Sequence, residues 1–246
     1  MARRSTLWGI LSLLGITATA AYVVNRDKEL PSTQEFVEEI KTIATYCPQA
    51  PNESQYDVFL EDAGKRHNLD WRFAKAILIK ESHFQEALIS STGAVGPMQL
   101  MPREGSYITE NYTSYLKARE SKERMHNGKK VEEWAALYRE DLEMLIEKGE
   151  KEKDKRFDPA WNINEGMRQL GEEHDFFLKE SNNPYYAKIF AASAYNAGRR
   201  AVLRGTTHIP VNRQTEYYAP GVLQIYDALV EGEGRLLWKD CWLLKL

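Results

Sequence analysis

Apolar residues recur along most of the chain at intervals of three and four, the spacing that places side chains on one face of an α-helix. Asp70 stands where a helix-capping residue is expected, and residues 73–78 after it contribute an apolar face. Asp158 followed by Pro159 is typical of a helix start, and an apolar stripe covers residues 163–178. The same spacing predicts further helices over residues 32–44, 56–65, 184–195 and 222–230. No segment alternates convincingly with period two, so the pattern predicts an all-α fold.

One segment differs in composition from the rest of the chain. Residues 117–157 include 12 Lys/Arg and 11 Asp/Glu, yet Trp134, Tyr138 and Leu142 keep helical spacing within it. Charges of both signs around a narrow apolar face are typical of a solvated helix. We therefore expect a charged helical insertion over about residues 103–157 that lays one narrow face on the main body. A partner-binding role is the alternative.

Composition and charge exclude several classes of protein. The net charge of -3, with 33 Lys+Arg against 36 Asp+Glu, argues against a nucleic-acid partner. Two cysteines and five scattered histidines, with no HExxH pair, leave iron–sulfur and zinc sites without ligands. Neither GxSxG nor a Gly-rich phosphate loop is present, so the motifs that best indicate a serine hydrolase or a nucleotide-binding protein are absent as well. We expect no metal and no cofactor.

The amino-terminal 27 residues predict export from the cytoplasm. Arg3 and Arg4 precede an apolar run over residues 7–24, and Ala-Thr-Ala at residues 18–20 offers the small-x-small pattern of a signal-peptidase site. The length of this run is close to the minimum for a helix that spans a bilayer. The run is either a cleaved signal peptide, which we favour, or a membrane anchor. Both place the remaining chain in the periplasm, released or held at the inner membrane.

Export also affects the interpretation of the two cysteines. In an oxidising compartment Cys47 and Cys241 could form a disulfide, or both could stay reduced and buried. The residues alone leave these two alternatives open.

Three short motifs carry the candidate chemistry. They are AILIKES at residues 76–82 with GAVGPMQLMP at 93–102, DPAWNINEG at 158–166, and AYNAG at 194–198 with QTEYY at 214–218. Their order, residue types and spacing resemble the lytic transglycosylases of the SLT domain family, which are relatives of goose-type lysozyme. The resemblance covers roughly residues 57–226 without the charged segment. It implies a lysozyme-like helical SLT domain with room for a minimal β-hairpin.

With this resemblance the chain divides into four parts. These are a signal peptide or anchor at 1–27, a helix and loop at 28–54, the SLT domain with its charged insertion at 55–230, and a carboxyl-terminal tail at 231–246.

Glu81 is the candidate catalytic residue. It falls at the carboxyl end of a predicted helix whose preceding residues are almost wholly apolar. Loss of hydration and the negative end of the helix dipole both disfavour a carboxylate, so both raise its pKa. A carboxyl group that stays protonated near neutral pH suits a general acid toward a glycosidic oxygen, the role that the resemblance implies.

The resemblance also implies a substrate cleft around this glutamate. The residues that it assigns to substrate binding are Ser82, Met98, Gln99, Tyr195, Asn196 and Tyr218. Gly93 and Gly96 permit tight turns in the segment that forms one wall of such a cleft. In the family, the tyrosine that matches Tyr195 approaches the catalytic carboxyl group, although this position also fits an amphipathic core residue. The chain departs from the family pattern at Pro97, Gln214, Glu216 and Tyr217.

Three functions are consistent with these residues. The leading hypothesis is a lytic transglycosylase that cleaves the MurNAc–GlcNAc β-1,4 bond of peptidoglycan glycan strands and leaves 1,6-anhydro-MurNAc ends. A muramidase that hydrolyses the same bond normally has a second carboxylate, for which Glu86, Asp158 and Glu216 are the candidates near the motifs. The third is a non-catalytic peptidoglycan-binding scaffold, which the retained Glu81 disfavours.

Overall fold

The structure is a computed structural model that describes residues 53–103, 105–204 and 213–232. The predicted signal or anchor segment, the predicted helix over residues 32–44, both cysteines and most of the predicted tail lie outside these residues. Among the described helices, none combines the length and the apolar character that a membrane span requires.

Helices dominate the described chain, as the hydrophobic pattern predicted. Its eight α-helices are α1 (Glu53–His67), α2 (Trp71–Ser82), α3 (Glu110–Glu120), α4 (Val131–Glu147), α5 (Pro159–Ser181), α6 (Pro184–Ala197), α7 (Arg199–Arg204) and α8 (Arg213–Glu231). Two predicted caps are confirmed, since Asp70 accepts a hydrogen bond from the backbone N–H of Arg72 at 3.1 Å and Asp158 from that of Ala160 at 3.0 Å. The all-α fold class is therefore confirmed.

A small antiparallel hairpin lies between α3 and α4. Its strands are β1 (Met125–His126) and β2 (Lys129–Lys130), and Met125 pairs with Lys130. Asn127 and Gly128 connect the strands with φ angles of 47° and 76°. Positive φ at both central residues is what the favoured two-residue turn of a hairpin requires. A minimal β-hairpin is therefore present, and it lies in the charged segment that the resemblance leaves out.

The larger core joins α1, α2, α5, α6 and α8, which we call the body. Helix α2 lies at its centre, because every residue from 73 to 79 is buried rather than only those on one face. Even Lys75 is fully buried, and its ammonium group lies 2.7 Å from a carboxylate oxygen of Asp57. The almost wholly apolar character of this part of the sequence reflects a helix that is surrounded by others. The helix that carries Glu81 is consequently held on all sides.

The charged segment forms a second core, and here the sequence-based expectation is wrong. Within residues 105–157, which we call the lobe, Tyr112, Tyr138 and Leu142 are buried against one another. Val95, from the chain that precedes the lobe, belongs to the same cluster. The lobe therefore does not lay a single narrow face on the body. Its few apolar side chains converge from α3 and α4, and most of its charged side chains lie outside.

Candidate active site

Glu81 lies in the last turn of α2. The helix ends in a left-handed turn, where His83 has a φ of 51° and donates its backbone N–H to the carbonyl oxygen of Ile79 at 3.1 Å. Phe84 follows with a φ of 64° and packs on Tyr56, with ring centroids 5.6 Å apart. Two successive non-glycine residues in this conformation are energetically costly, and such strain concentrates at functional sites.

Burial dominates the electrostatics of Glu81. Loss of hydration raises its pKa from the usual 4.5 to about 7, against smaller opposing effects of a hydrogen bond from Tyr218 and of the charge on Lys80. The hydroxyl group of Tyr218, in α8, donates to Oε1 of Glu81 at 2.5 Å. The other carboxyl oxygen is then the one that carries the proton of the neutral acid. Near neutral pH this group is poised to give up a proton, as a general acid must be.

Residues 93–100 form a compact segment that we call the glycine loop. Val95 and Leu100 exchange two backbone hydrogen bonds, of 3.1 and 3.0 Å. Gly96 has a φ of 82°, and a Cβ at this position would lie 2.5 Å from the carbonyl oxygen of Arg156. The tight turn predicted at this glycine is therefore confirmed, and the close approach of a neighbouring backbone adds a second reason for glycine.

Three residues assigned to substrate binding have partners within the protein. Ser82 is fully buried, and its hydroxyl donates to a carbonyl oxygen one turn earlier in α2. Met98 is also fully buried. Neither side chain reaches the surface, so the described geometry gives no support to the substrate contacts predicted for them. Gln99 has a φ of 48° and donates from Nε2 to the carbonyl oxygens of Leu88 and Gly96. It remains partly exposed, so its contact with substrate stays a prediction.

Tyr195 connects α6 to the glycine loop. Its hydroxyl donates to the carbonyl oxygen of Met98 at 2.7 Å, and its ring packs on the body core. The hydroxyl group that donates to Glu81 itself is that of Tyr218. Burial raises the pKa of Tyr195, and the charge of Glu81 raises it further. Tyr195 thus lies near the candidate acid while it also serves as a core residue.

Other residues from the third motif lie around the same region. Asn196 is exposed near the end of α6, where its predicted contact with a sugar stays a prediction. That helix ends at Ala197, and Gly198 follows it with a φ of 85° and a ψ of 141°. Tyr218 is only 6% exposed, so we reassign it from substrate binding to contact with the acid. The side chains of Gln214, Glu216 and Tyr217 lie outside the described residues.

Sequence analysis missed a second carboxylate near the site. Glu165, in α5, contributes to the raised pKa of Tyr195, so it lies close to the same ring. Arg168 and Arg103 lie 2.7 and 3.2 Å from its Oε1. Hydrogen bonding from Arg168 lowers the pKa of Glu165. Its spacing to Arg168 is visible in the sequence, whereas its position beside Tyr195 follows only from the packing of α5 on α6.

Comparisons with known proteins bear on the family. A family model described as the transglycosylase SLT domain matches residues 59–129. The membrane-bound lytic murein transglycosylase C of Actinobacillus succinogenes is 25% identical over 150 residues, which are 61% of this chain and 33% of that protein. A solved structure of an inactive mutant of the lytic transglycosylase Slt from Pseudomonas aeruginosa is 22% identical, with a TM-score of 0.43. That match covers 74% of this chain and 24% of the other.

The matched region contains the candidate acid and the glycine loop, and it ends before Tyr195 and Tyr218. The chain spans about a third of the length of the curated relative. The resemblance found in the motifs is confirmed: residues 59–129 match the transglycosylase SLT domain, and the chain is similar to a lytic murein transglycosylase.

Proposed function

We propose that the protein is a lytic transglycosylase that cleaves the MurNAc–GlcNAc β-1,4 bond of peptidoglycan and leaves 1,6-anhydro-MurNAc ends. The observation that carries this proposal is Glu81, a carboxyl group with its pKa raised to about 7 inside the SLT match. The name of the relative, a lytic murein transglycosylase, supports the same class of substrate.

In the first step Glu81 is the general acid. Its proton passes to the oxygen that bridges the two sugars, while the bond from that oxygen to C1 of MurNAc breaks and positive charge develops at C1. The hydrogen bond from Tyr218 to Oε1 fixes the orientation of the carboxyl group, so the opposite oxygen delivers the proton. The N-acetyl group of the same sugar stabilises the developing cation.

In the second step the same residue is the general base. The Glu81 carboxylate takes the proton from the C6 hydroxyl of MurNAc, whose oxygen bonds to C1 and closes the anhydro ring. Glu81 is thereby returned to its protonated form, and no water is consumed. Between the steps, the Tyr218 hydroxyl stabilises the carboxylate, because a hydrogen bond to a charged acceptor is stronger than one to a neutral acceptor.

A hydrolytic muramidase is less well supported by the carboxylates of the described residues. Glu86 and Asp158 are exposed, and Asp158 is engaged in capping α5. Glu165 is nearer to the site, but it is paired with Arg168 and Arg103. A carboxylate held by two guanidinium groups is a weak base toward water, because proton uptake weakens both ion pairs. A mechanism with one acid needs no second carboxylate.

Mass spectrometry of digested glycan strands tests the proposal. We expect the wild-type protein to release fragments with anhydro ends, with no heavy oxygen incorporated from labelled water. Glu81→Gln should release none, whereas Glu165→Gln should still give the anhydro product. Labelled reducing ends that disappear in Glu165→Gln would establish hydrolysis instead. If the wild-type protein cleaves no glycan, the remaining hypothesis is a non-catalytic peptidoglycan-binding scaffold.

We also propose that the protein works on the periplasmic side of the inner membrane. The apolar run over residues 7–24 favours export, and the relative from Actinobacillus succinogenes is membrane-bound by name. Cell fractionation with amino-terminal sequencing tests this. Cleavage after Ala20 predicts a soluble periplasmic protein that begins at Ala21, whereas an anchored protein keeps Met1 or Ala2 in the membrane fraction.

A further inference from the structure

Arg156 is the largest fully buried side chain among the described residues. It lies in the lobe, shortly before α5, and forms an ion pair with Asp154 in which both side chains are 0% exposed. Its Nε donates to Oδ1 of Asp154 at 3.0 Å, and its Nη2 donates to Oδ2 at 2.7 Å. The attraction between two buried charges offsets their lost hydration only when further hydrogen bonds complete the site. The other partners of the guanidinium group are therefore informative.

The remaining donors of Arg156 hold the glycine loop. Nη1 donates to the carbonyl oxygen of Gly93 at 2.8 Å and to that of Leu100 at 3.0 Å. These residues are the two ends of the loop, so one planar group joins them. Nη2 also donates to the hydroxyl of Tyr138 at 2.7 Å, and this hydroxyl donates to the carbonyl oxygen of Tyr107 at 3.0 Å. The loop is thus tied to α4 and to the chain before α3.

The loop in turn reaches the region of the candidate acid through Tyr195. Met98 accepts the Tyr195 hydroxyl at its carbonyl oxygen and donates its backbone N–H to Oδ1 of Asn162 at 2.8 Å. Asn162 donates from Nδ2 to the carbonyl oxygen of Arg156 at 2.9 Å. A continuous set of hydrogen bonds therefore joins Arg156 to Tyr195. The charge of Glu81 contributes to the raised pKa of this tyrosine.

We propose that Arg156 is a positioning residue for the reaction at Glu81. It fixes both ends of the glycine loop and thereby sets the place at which Met98 holds Tyr195. The same loop sets the direction of the exposed part of Gln99. This inference rests on the proposed function, since it states how that site is kept in its working geometry. It gives the lobe a part in the reaction without any contact between the lobe and the reacting atoms.

Kinetics of the full chain with two altered proteins test the proposal. Arg156→Lys keeps a charge beside Asp154, but an ammonium group lacks the planar fork that spans both carbonyl oxygens. The double substitution Arg156→Met with Asp154→Asn removes both charges and leaves neither unpaired. In each, we expect kcat on glycan strands to fall by about tenfold or more, because small displacements of a site carry large kinetic effects. KM should change by less than about threefold, since the surface that binds glycan is retained.

Leu142→Ala is the matched control. Leu142 is fully buried in the lobe core, and its truncation weakens the lobe while every hydrogen-bonding group of Arg156 and of its partners is retained. We expect this control to lower the melting temperature at least as much as Arg156→Lys and to keep kcat within about twofold of wild type. Hydrogen exchange at the backbone N–H groups of Val95 and Leu100 gives a readout that is independent of activity. It should be faster in the Arg156 variants than in the control.

Two results would overturn the proposal through activity. One is a kcat in the double variant within about twofold of wild type, and the other is an equal loss of kcat in Leu142→Ala. Loss of the folded state in both Arg156 variants would overturn it too, because Arg156 would then serve stability alone. If the wild-type protein cleaves no glycan, the proposed function fails. In that case unchanged exchange in the loop overturns the positioning role separately, and faster exchange supports it.

Discussion

Burial acts differently on the charged groups of the body and of the lobe. In the body, Glu81 lies at the end of a helix that is surrounded by apolar side chains, and burial raises its pKa to about 7. In the lobe, Arg156 is buried beside Asp154, and its hydrogen bonds fix the backbone at Gly93 and Leu100. Burial thus keeps the proton on the Glu81 carboxyl group. In the lobe, burial directs the donors of Arg156 to the backbone of the glycine loop, which they hold in place.

The comparison shows that charge density along the sequence does not measure how much a segment contributes to the interior. The lobe is rich in Lys, Arg, Asp and Glu, yet its apolar side chains form a cluster of their own. Of its four arginines, Arg156 is fully buried and bonds to the glycine loop. A segment that looks solvated can therefore carry the contacts that shape a site.

Deletion of residues 117–155 with a short Gly/Ser bridge should have the largest effect. It removes Tyr138 and Asp154, so the Arg156 guanidinium loses both side-chain partners, including its counter-charge, and the lobe loses most of its core. Removal of one partner from a buried ion pair costs about 3–5 kcal/mol, a large share of the stability of a domain. We expect loss of glycan cleavage and a loss of cooperative thermal unfolding. A deletion variant with full activity would mean that the lobe is a dispensable appendage.

Glu81→Gln should have the second-largest effect on activity. It removes the acid from the body while the packing of the body is retained. The amide has nearly the same shape but has no acidic proton to give, and loss of general acid catalysis costs about 10² to 10⁴ in rate. We expect turnover of glycan strands to fall by this amount while the protein still folds and binds glycan. Glu86→Gln, at an exposed residue, is the control and should retain wild-type kcat. Activity of Glu81→Gln close to that of wild type would remove Glu81 from the mechanism.

The stability of the body should depend on pH through the same group. The pKa of Glu81 in the folded protein, about 7, exceeds the usual 4.5, so its contribution to stability is complete below about 4.5 and is lost as pH rises through about 7. The difference corresponds to at most about 3 kcal/mol. Thermal unfolding at pH 5 and at pH 8 measures it. The loss of stability between these values should be smaller in Glu81→Gln, and an equal loss would contradict the raised pKa.

Tyr195→Phe tests the connection between the two regions. It keeps the ring in the body core but removes the hydrogen bond to the carbonyl oxygen of Met98. One such bond contributes about 0.5–1.5 kcal/mol, so we expect kcat to fall by about 2- to 10-fold if the bond holds the loop during the reaction. Steady-state kinetics and melting temperature are measured together. An unchanged kcat with a lowered melting temperature would reduce Tyr195 to a core residue.

Tyr218→Phe should have the smallest effect on the rate and a diagnostic effect on the pH profile. The Tyr218 hydroxyl lowers the pKa of Glu81, so its removal should raise that pKa. The fall in activity on the alkaline side should then move to higher pH, by about one unit for a hydrogen bond to a charged group. The profile of kcat against pH measures the shift. A shift to lower pH would mean that the hydroxyl does not stabilise the carboxylate.

Regular elements and the position of the candidate acid were predictable from the sequence, because they follow from local rules. The cap at Asp70, the proline start of α5 and the place of Glu81 at the end of α2 all depend on residues close together in the chain. The contacts across the site were not predictable in the same way. Tyr218 reaches Glu81 and Tyr195 reaches the carbonyl oxygen of Met98 over long separations in sequence. No local pattern distinguishes Arg156 from its charged neighbours.

Gly166 determines how closely α5 approaches the glycine loop. A Cβ at this position would lie 2.7 Å from the Cβ of Met98, nearer than two such carbons come. An alanine would therefore act as a spacer between helix and loop, and it would displace the backbone oxygen that Tyr195 binds. The distance between α5 and the glycine loop is thus set by the methyl group that Gly166 lacks. Gly166→Ala would therefore change this distance without altering the side chain of Glu81 or of Tyr218.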